Sequence, residues 1–357
     1  MVGKNQGTVG IDHDSASLSA SNCELNVQSI ASRISKQFGV RRADDTRRSV
    51  VQLITTFIPF LAVLGAMAAT VEEAYWATLL LTVPCAGLLV RLFVFQHDCG
   101  HGSFFKSRAA NDSLGRFISI FTLTPYDYWR RSHALHHATS GNLDKRGLGD
   151  VPTFTVEEYR AFSRIKKLGY RLFRNPIIMI GIGVPINFIV LQRIPFGRDI
   201  QDSGTVRSIL GLNFTLLVAF GTPMVFFGVA PVLLVYLPII IVAAAIGGWL
   251  FYVQHQFEDA YWRRTEDWDF HVAAVSGSSY YELPKLLQWF TGNIGMHHIH
   301  HLCSRVPNHR LAECFDTFPE LNRISKRITL RDSLKCWRYS LWDEENGVMV
   351  GFNDIQR

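Results

Sequence analysis

Two stretches without a single lysine or arginine constrain this chain more than any other feature. One runs from Ser49 to Val90 and the other from Ser208 to Trp262. Each is long enough for two spans of about 20 apolar residues and a turn. Elsewhere the chain is rich in both signs of charge, so apolar and charged regions are segregated. The mean hydropathy is +0.11 and 48% of the residues are hydrophobic, an unusually high balance for a soluble chain of this length. The net charge of +6 is carried by basic residues that flank the apolar spans. They are not interleaved with stacking aromatics, which argues against nucleic acid and for positive-inside loops facing anionic lipid.

The pattern predicts four membrane-spanning helices in two hairpins, at about 50–69, 75–95, 208–229 and 232–253, the last two joined by a turn at Ala230–Pro231. The first hairpin loop holds Glu72 and Glu73 and no base. Arg41, Arg42, Arg47, Arg48, Arg91, Arg207, Arg263 and Arg264 bracket the hairpins, which places both termini in the cytoplasm. A fifth apolar stretch, Pro176 to Gln192, is at the lower length limit for a span. A fifth crossing would put the segment after Val253 across the bilayer from Phe95, so this stretch is read as interfacial or re-entrant. Phe117 to Thr124 is too short to cross. Val156 to Phe173 reads as one basic amphipathic helix, on the membrane or on a soluble cap. The expected fold is an all-α integral membrane protein with interfacial helices and a cytoplasmic helical cap. Its expected divisions are a polar N-terminal tail at 1–48, poorly ordered to about Ala31; a membrane domain at 49–340; and a C-terminal tail at 341–357. The polar start predicts no cleavable signal peptide. Six dispersed cysteines without a CxxC are expected to be reduced thiols. There is no GxGxxG and no P-loop, hence no evident site for flavin, nicotinamide or ATP.

The chemistry lies in the histidines. Of thirteen, nine fall in places that make sense together. His97 and His101 form HDCGH just past the second span, four residues apart and so on one helix face. His133, His136 and His137 form HALHH. His297, His300 and His301 form a second HxxHH within HHIHH. His255 ends the fourth span, at the same expected depth as His97. Eight or nine convergent imidazoles exceed the three or four ligands of one zinc and fit two ions better. Imidazole suits iron, zinc, copper and nickel alike. A zinc store or a transporter is a competing reading, but a transport site expects ionisable groups at mid-bilayer, and these spans hold only Arg91, near one end. A metal pair against the membrane points to a hydrocarbon substrate. Attack on an unactivated methylene needs an oxidant that no side chain supplies, and dioxygen activated on iron is the standard means. Asp98, Asp127, Asp144, Asp150, Glu258, Asp259 and Asp267 are candidates to orient the imidazoles, with most of them expected to be solvated surface charges.

HDCGH, HALHH and GNIGMHHIHH, with QHQFEDAYW between them, resemble the membrane fatty acid desaturase family, most of all its bacterial acyl-lipid members. His133 to Asp150 and Tyr280 to Leu311 resemble that group almost throughout, and the similarity covers about Val50 to Ser340. The resemblance implies a di-iron centre held by His97, His101, His133, His136, His137, His297, His300 and His301, with His255 as a ninth ligand. His298 lies off the HxxHH pattern and is read as a non-ligand; His271 and His309 are outside it, and His13 is in the tail. In one animal branch an asparagine four residues before the ninth histidine contacts the metal through water. Here that position is Phe251, so the contact is not carried over; Asn293, four residues before His297, is a candidate for a similar supporting part. The implied reaction is O2-dependent introduction of a cis double bond into an acyl chain of a membrane lipid, in the bacterial inner membrane. No haem-binding domain is expected in the chain, so electrons come from a separate donor, ferredoxin-like in preference to the cytochrome b5 type. A basic cap suits an acidic carrier. Two rival readings stay open: hydroxylation or ketolation of a lipid or carotenoid at the same kind of site, and non-redox metal binding.

Overall fold

The computed structural model describes residues 26–147, 149–196 and 202–356. Most of the stretch expected to be poorly ordered, 1–25, lies outside them, as does Cys23. Its last residues do not fit that expectation. Residues 26–37 form a helix, α1, whose Val27, Ile30, Ala31, Ile34 and Phe38 are buried against Ile299, Leu302 and Phe318. The spacing is the helical i, i+3, i+4, i+7 stripe, short enough to be lost among polar neighbours.

Four long helices follow the expected hairpins. Helices α2 (Asp45–Thr70) and α3 (Tyr75–His101) form the first. Each contains a proline, Pro59 or Pro84, tolerated inside an apolar span where packing offsets the lost hydrogen bond. Helix α3 is central, packing on α2 and on the last long helix, and it runs without a break through HDCGH. Gly102, at φ 70°, caps it. Two cap helices come next, α4 (Arg108–Thr122) and α5 (Tyr126–Thr139). The single amphipathic helix expected over Val156–Phe173 is two, α6 (Val156–Ala161) and α7 (Arg164–Phe173). The chain extends at Phe162, and Ser163 caps the second helix by accepting from the Lys166 amide. On α7, Tyr170 is buried while Ile165, Leu168 and Leu172 are exposed along one face.

The apolar stretch after α7 forms α8 (Pro176–Arg193), long and apolar enough to cross a membrane. With it the protein has five candidate spans among the described residues, where four were expected. Its neighbours fix its course. Just before it, Arg174 donates to the Tyr252 hydroxyl and to Gln256 Oε1 at 3.2 and 2.8 Å, beside the end of the last long helix. At its far end the Arg193 carbonyl accepts from Asn213 at 2.8 Å. Asp202 then pairs with Arg131 of α5 at 2.6 Å and caps α9 (Ser203–Phe227).

Helix α10 (Val229–His255) completes the second hairpin. The turn falls at Gly228, at φ 87°, and not at Ala230–Pro231 as expected. Glycine takes positive φ without steric cost, and a proline in the first helical turn loses no hydrogen bond, so the helix can start ahead of it. Large apolar side chains such as Leu80, Val83, Phe214, Leu217, Val225 and Leu233 stay exposed along these helices. So extended an apolar surface is that of a protein embedded in lipid.

The cap continues with α11 (Phe270–Ser276), α12 (Lys285–Phe290), α13 (His297–Leu302) and α14 (Asn308–Thr317). It is mostly helical but carries two small sheets. Strands β2 (Tyr280–Glu282) and β3 (Arg327–Thr329) pair in parallel. Strand β1 (Phe154–Thr155) pairs in parallel with β4 (Leu341–Asp343), which pairs antiparallel with β5 (Val348–Val350). The chain beyond Ser340 thus folds back, with Leu341 buried against Val156, Tyr159 and Tyr170. Cys85, Cys99, Cys303, Cys314 and Cys336 are free and buried. Arg91, buried between the spans, donates to Thr56 Oγ1, Gln52 Oε1 and the Trp289 carbonyl. Its guanidinium lies 4.3 Å from the Trp289 ring, which accounts for a charge at this depth.

Candidate metal centre

Helical geometry decides where each imidazole goes. Residues i and i+4 lie about 40° apart around a helix, whereas i+3 falls about 60° to the other side of i. In both HxxHH boxes the outer pair therefore acts together and the middle histidine diverges. His133 and His137 join His97, His101 and His300 in one group of five; His297 and His301 join His136 and His255 in a group of four. Within each group the candidate ligand nitrogens lie within 4.8 Å of one another. Every one of the nine histidines singled out in the sequence is in one group or the other. Each HxxHH box serves both groups, its i+3 histidine crossing over, so the two groups are built from shared helices and abut. The His137 and His301 rings stack at 4.1 Å across the boundary.

The nitrogens converge more closely than pairwise hydrogen bonding explains. His137 Nε2 is 3.1 Å from both His133 Nε2 and His300 Nε2. His297 Nε2 is 3.0 Å from His255 Nε2 and 3.1 Å from His301 Nε2. A ring nitrogen carries either one N–H or one lone pair and is poorly suited to two short contacts at once, whereas nitrogens bound at about 2.1 Å to a shared ion come about 3 Å apart. His101 Nε2 is buried without a hydrogen-bond partner among the described residues. Burial, followed by the neighbouring imidazoles, pushes the His133, His137, His297, His300 and His301 rings well below the usual histidine range. They are neutral at neutral pH, the form that binds metal. An all-imidazole donor set of this size fits two transition-metal ions of the iron and zinc kind.

The supporting contacts single out two of the seven acidic candidates. Asp150 Oδ1 accepts from His136 Nδ1. The preceding Gly149 has φ 78° and sits against Ser132 and His136, so the positive φ turns the chain where a side chain would not fit. Asp98 Oδ1 is 3.3 Å from His97 Nδ1, and its Oδ2 accepts from both the backbone and the side chain of Asn308 at 2.8 and 2.9 Å. That ties the first box to the chain just after the third. The other five serve elsewhere: Asp127 with Arg116, Asp144 with Arg264, Glu258 with Tyr339 and Asp259 with Lys326, while Asp267 uses its carbonyl to accept from Tyr261. One partner is not acidic at all: the Gly277 carbonyl accepts from His255 Nδ1 at 3.0 Å, and a backbone acceptor leaves no residue-type signal in a sequence. Nor was Trp129 foreseen, which stacks on His133 at 4.6 Å.

Phe251 packs against both His136 and His255, at 5.1 and 5.2 Å between ring centres. Asn293 meets none of the nine; it takes a left-handed conformation at φ 60° and its side chain points to the Asn308 carbonyl at 3.4 Å. His298 faces away from both groups, towards Tyr280 and Phe315, and burial pushes its pKa down to about 4. Replacing it by alanine is expected to leave activity within about tenfold of wild type, since the loss is one of packing; complete inactivation with metal content retained would contradict that placement. His309 pairs with Asp45 at 2.9 Å. His271 lines a surface cleft of about 370 Å³ that reaches His137 and His301, with Ser32, Ser35 and Arg305 also on its walls.

Comparison with known proteins gives a family match. Residues 74–326 match the model of the family described as fatty acid desaturase. The chain is 43% identical to a fatty acid desaturase of Bacillus subtilis (strain 168), over 91% of each chain. It is 30% identical to an sn-1 acyl-lipid omega-3 desaturase (ferredoxin) of Synechocystis sp. and 25% identical to an sn-1 oleoyl-lipid 12-desaturase of the same organism. Those two alignments cover 62% of this chain and 61% and 63% of the relatives' own lengths. Sequence boxes, helical hairpins and family match converge on one conclusion: the chain belongs to the fatty acid desaturase family.

Proposed function

We propose that this membrane protein introduces a cis double bond into an acyl chain of a membrane lipid, using O2 and a di-iron centre. The observation that carries the reading is the sorting of nine imidazoles into groups of five and four, drawn from three boxes and the end of α10. His97, His101, His133, His137 and His300 would hold one iron, and His136, His255, His297 and His301 the other. When bound, the metal pair supplies the activated oxygen that side chains lack. Across the reaction two C–H bonds break and one C=C forms. O2 takes two electrons and two protons from the chain, and two of each from the donor and solvent, leaving as two waters. The protein's part is orientation and exclusion of water. Asp150 and the Gly277 carbonyl hold His136 and His255 with Nδ1 protonated, so that Nε2 faces inward. The ring of Trp129 covers His133, and that of Phe251 covers His136 and His255.

The topology that goes with this reading has four crossings. The ends of α3 and α10 meet in one cluster and so share one face of the bilayer, the cytoplasmic one by the distribution of arginines. Helix α8 leaves that face beside Tyr252, and the chain is back at it by Asp202, which pairs with Arg131 of the cap. This supports a re-entrant α8. The cleft reaching one histidine of each group suits electron entry from a small acidic carrier of the ferredoxin kind, with Arg305 on its wall.

The deciding experiment is expression in a host lacking the activity, followed by mass spectrometry of fatty acid methyl esters with derivatised double bonds. New alkenes at one position are expected, dependent on O2. A hydroxyl or keto product in their place would overturn the proposal.

A further inference from the structure

Away from the histidines, α8 ends in a group of polar atoms that the fold leaves without partners. Nε, Nη1 and Nη2 of Arg193, Oε1 of Gln192 and Oδ1 of Asn213 are all shielded, and none has a hydrogen-bond partner among the described residues. The Asn213 side chain belongs to the group because it donates to the Arg193 carbonyl. The flanking side chains are apolar and exposed, Leu191 and Ile194 on α8 and its continuation, Leu210 and Phe214 on α9. A guanidinium shielded among apolar side chains without a partner is among the least favourable placements open to a side chain. An anion that meets it would remove that penalty.

The position of the group adds a second observation. About one and a half helical turns back along α8, the Phe188 ring lies 6.1 Å from Phe93. Phe93 is 5.4 Å from Trp129. Trp129 stands 5.7 Å from His97 and stacks on His133. A line of aromatic rings therefore leads from Phe188, five residues before Arg193, to the group of five histidines. It offers an acyl chain an apolar course between the two.

We propose that Gln192, Arg193 and Asn213 hold the phosphodiester headgroup of the substrate lipid, and that this anchor sets which methylene stops at the metals. The proposal rests on the desaturase reading above. A guanidinium offers two parallel N–H groups that match two oxygens of a phosphate. The two unpartnered amide oxygens are acceptors, suited to the hydroxyl or ammonium that a glycerol or ethanolamine headgroup carries beyond its phosphate. Arg193 is on this account a positioning residue, and double-bond position is the property it governs.

The test uses the iron-loaded enzyme in nanodiscs of phosphatidylglycerol, and in nanodiscs of an uncharged galactolipid with the same acyl chains. With Arg193→Ala, desaturation of phosphatidylglycerol is expected to fall about 10- to 100-fold, the range for losing charge-assisted hydrogen bonds. The residual double bonds should spread over neighbouring positions. Arg193→Lys should fall between, and the loss on the galactolipid should be smaller than that on phosphatidylglycerol. Should Arg193→Ala fail to accumulate, the lysine variant decides, together with native mass spectrometry of phosphatidylglycerol retained on the purified protein. Equal retention and an unchanged double-bond position in that variant would sink the idea, as would an Arg193→Ala enzyme with wild-type rate, position and iron content. A wild type inactive on both lipids would sink the desaturase reading and this assignment together, whereas an active wild type with an indifferent Arg193 sinks the assignment alone.

Discussion

Replacing His136 or His300 by alanine is expected to abolish alkene formation, by more than about 100-fold, while the protein still inserts into the membrane. The bound is set by comparison: changing a residue that only supports a metal ligand costs about 10- to 100-fold, and losing the ligand itself should cost more. His136 is one of four imidazoles in its group and His300 one of five, and both are the i+3 histidines that cross between groups. Each substitution should therefore lower the iron content as well as the product. Metal analysis of the purified variants, membrane fractionation and methyl ester profiles read the three quantities separately. Full activity in both variants would refute the ligand assignment, since neither group has a spare histidine among the described residues.

Asp150 should behave as a sensitive position outside the ligands. Its carboxylate accepts from His136 Nδ1, in the pattern that fixes a ligand's tautomer and raises its basicity. Asp150→Ala is expected to lose about 10- to 100-fold in activity or iron affinity. Asp150→Asn keeps an acceptor oxygen without the charge and should fall between. Asp144→Ala is the control, because Asp144 pairs with Arg264 on the exposed surface, where such pairs contribute little; it should stay within about threefold of wild type. Equal activity in the Asp150 and Asp144 alanine variants would show that the carboxylate does not orient His136.

These seven acids also show where a sequence stops being informative. All lie within reach of a histidine box along the chain, and residue type does not separate them. Only two meet a histidine of the site, because what matters is which side of a loop or helix each one faces after folding. The Gly277 carbonyl was beyond any such reading, since every residue carries one. Helix α1 escaped notice for a different reason. Its apolar stripe is five residues long and acquires meaning only when the surface of α13 and α14 is there to receive it. The β1–β4 pairing joins residues far apart in the chain, and two- or three-residue strands leave no periodicity to detect.

The hairpin spans were legible for a physical reason that does not depend on tertiary contacts. Hydrocarbon thickness sets the length of an apolar helix, and water and headgroups set where charges begin again. The histidine spacings were legible too, since the helical repeat alone places i and i+4 on one face. The allotment of each histidine to a group of five or four, and the seating of α8 between Tyr252 near its start and Asn213 at its end, came only with the folded chain. Both depend on how helices distant in sequence are rotated and seated against one another, and packing sets those angles where periodicity cannot.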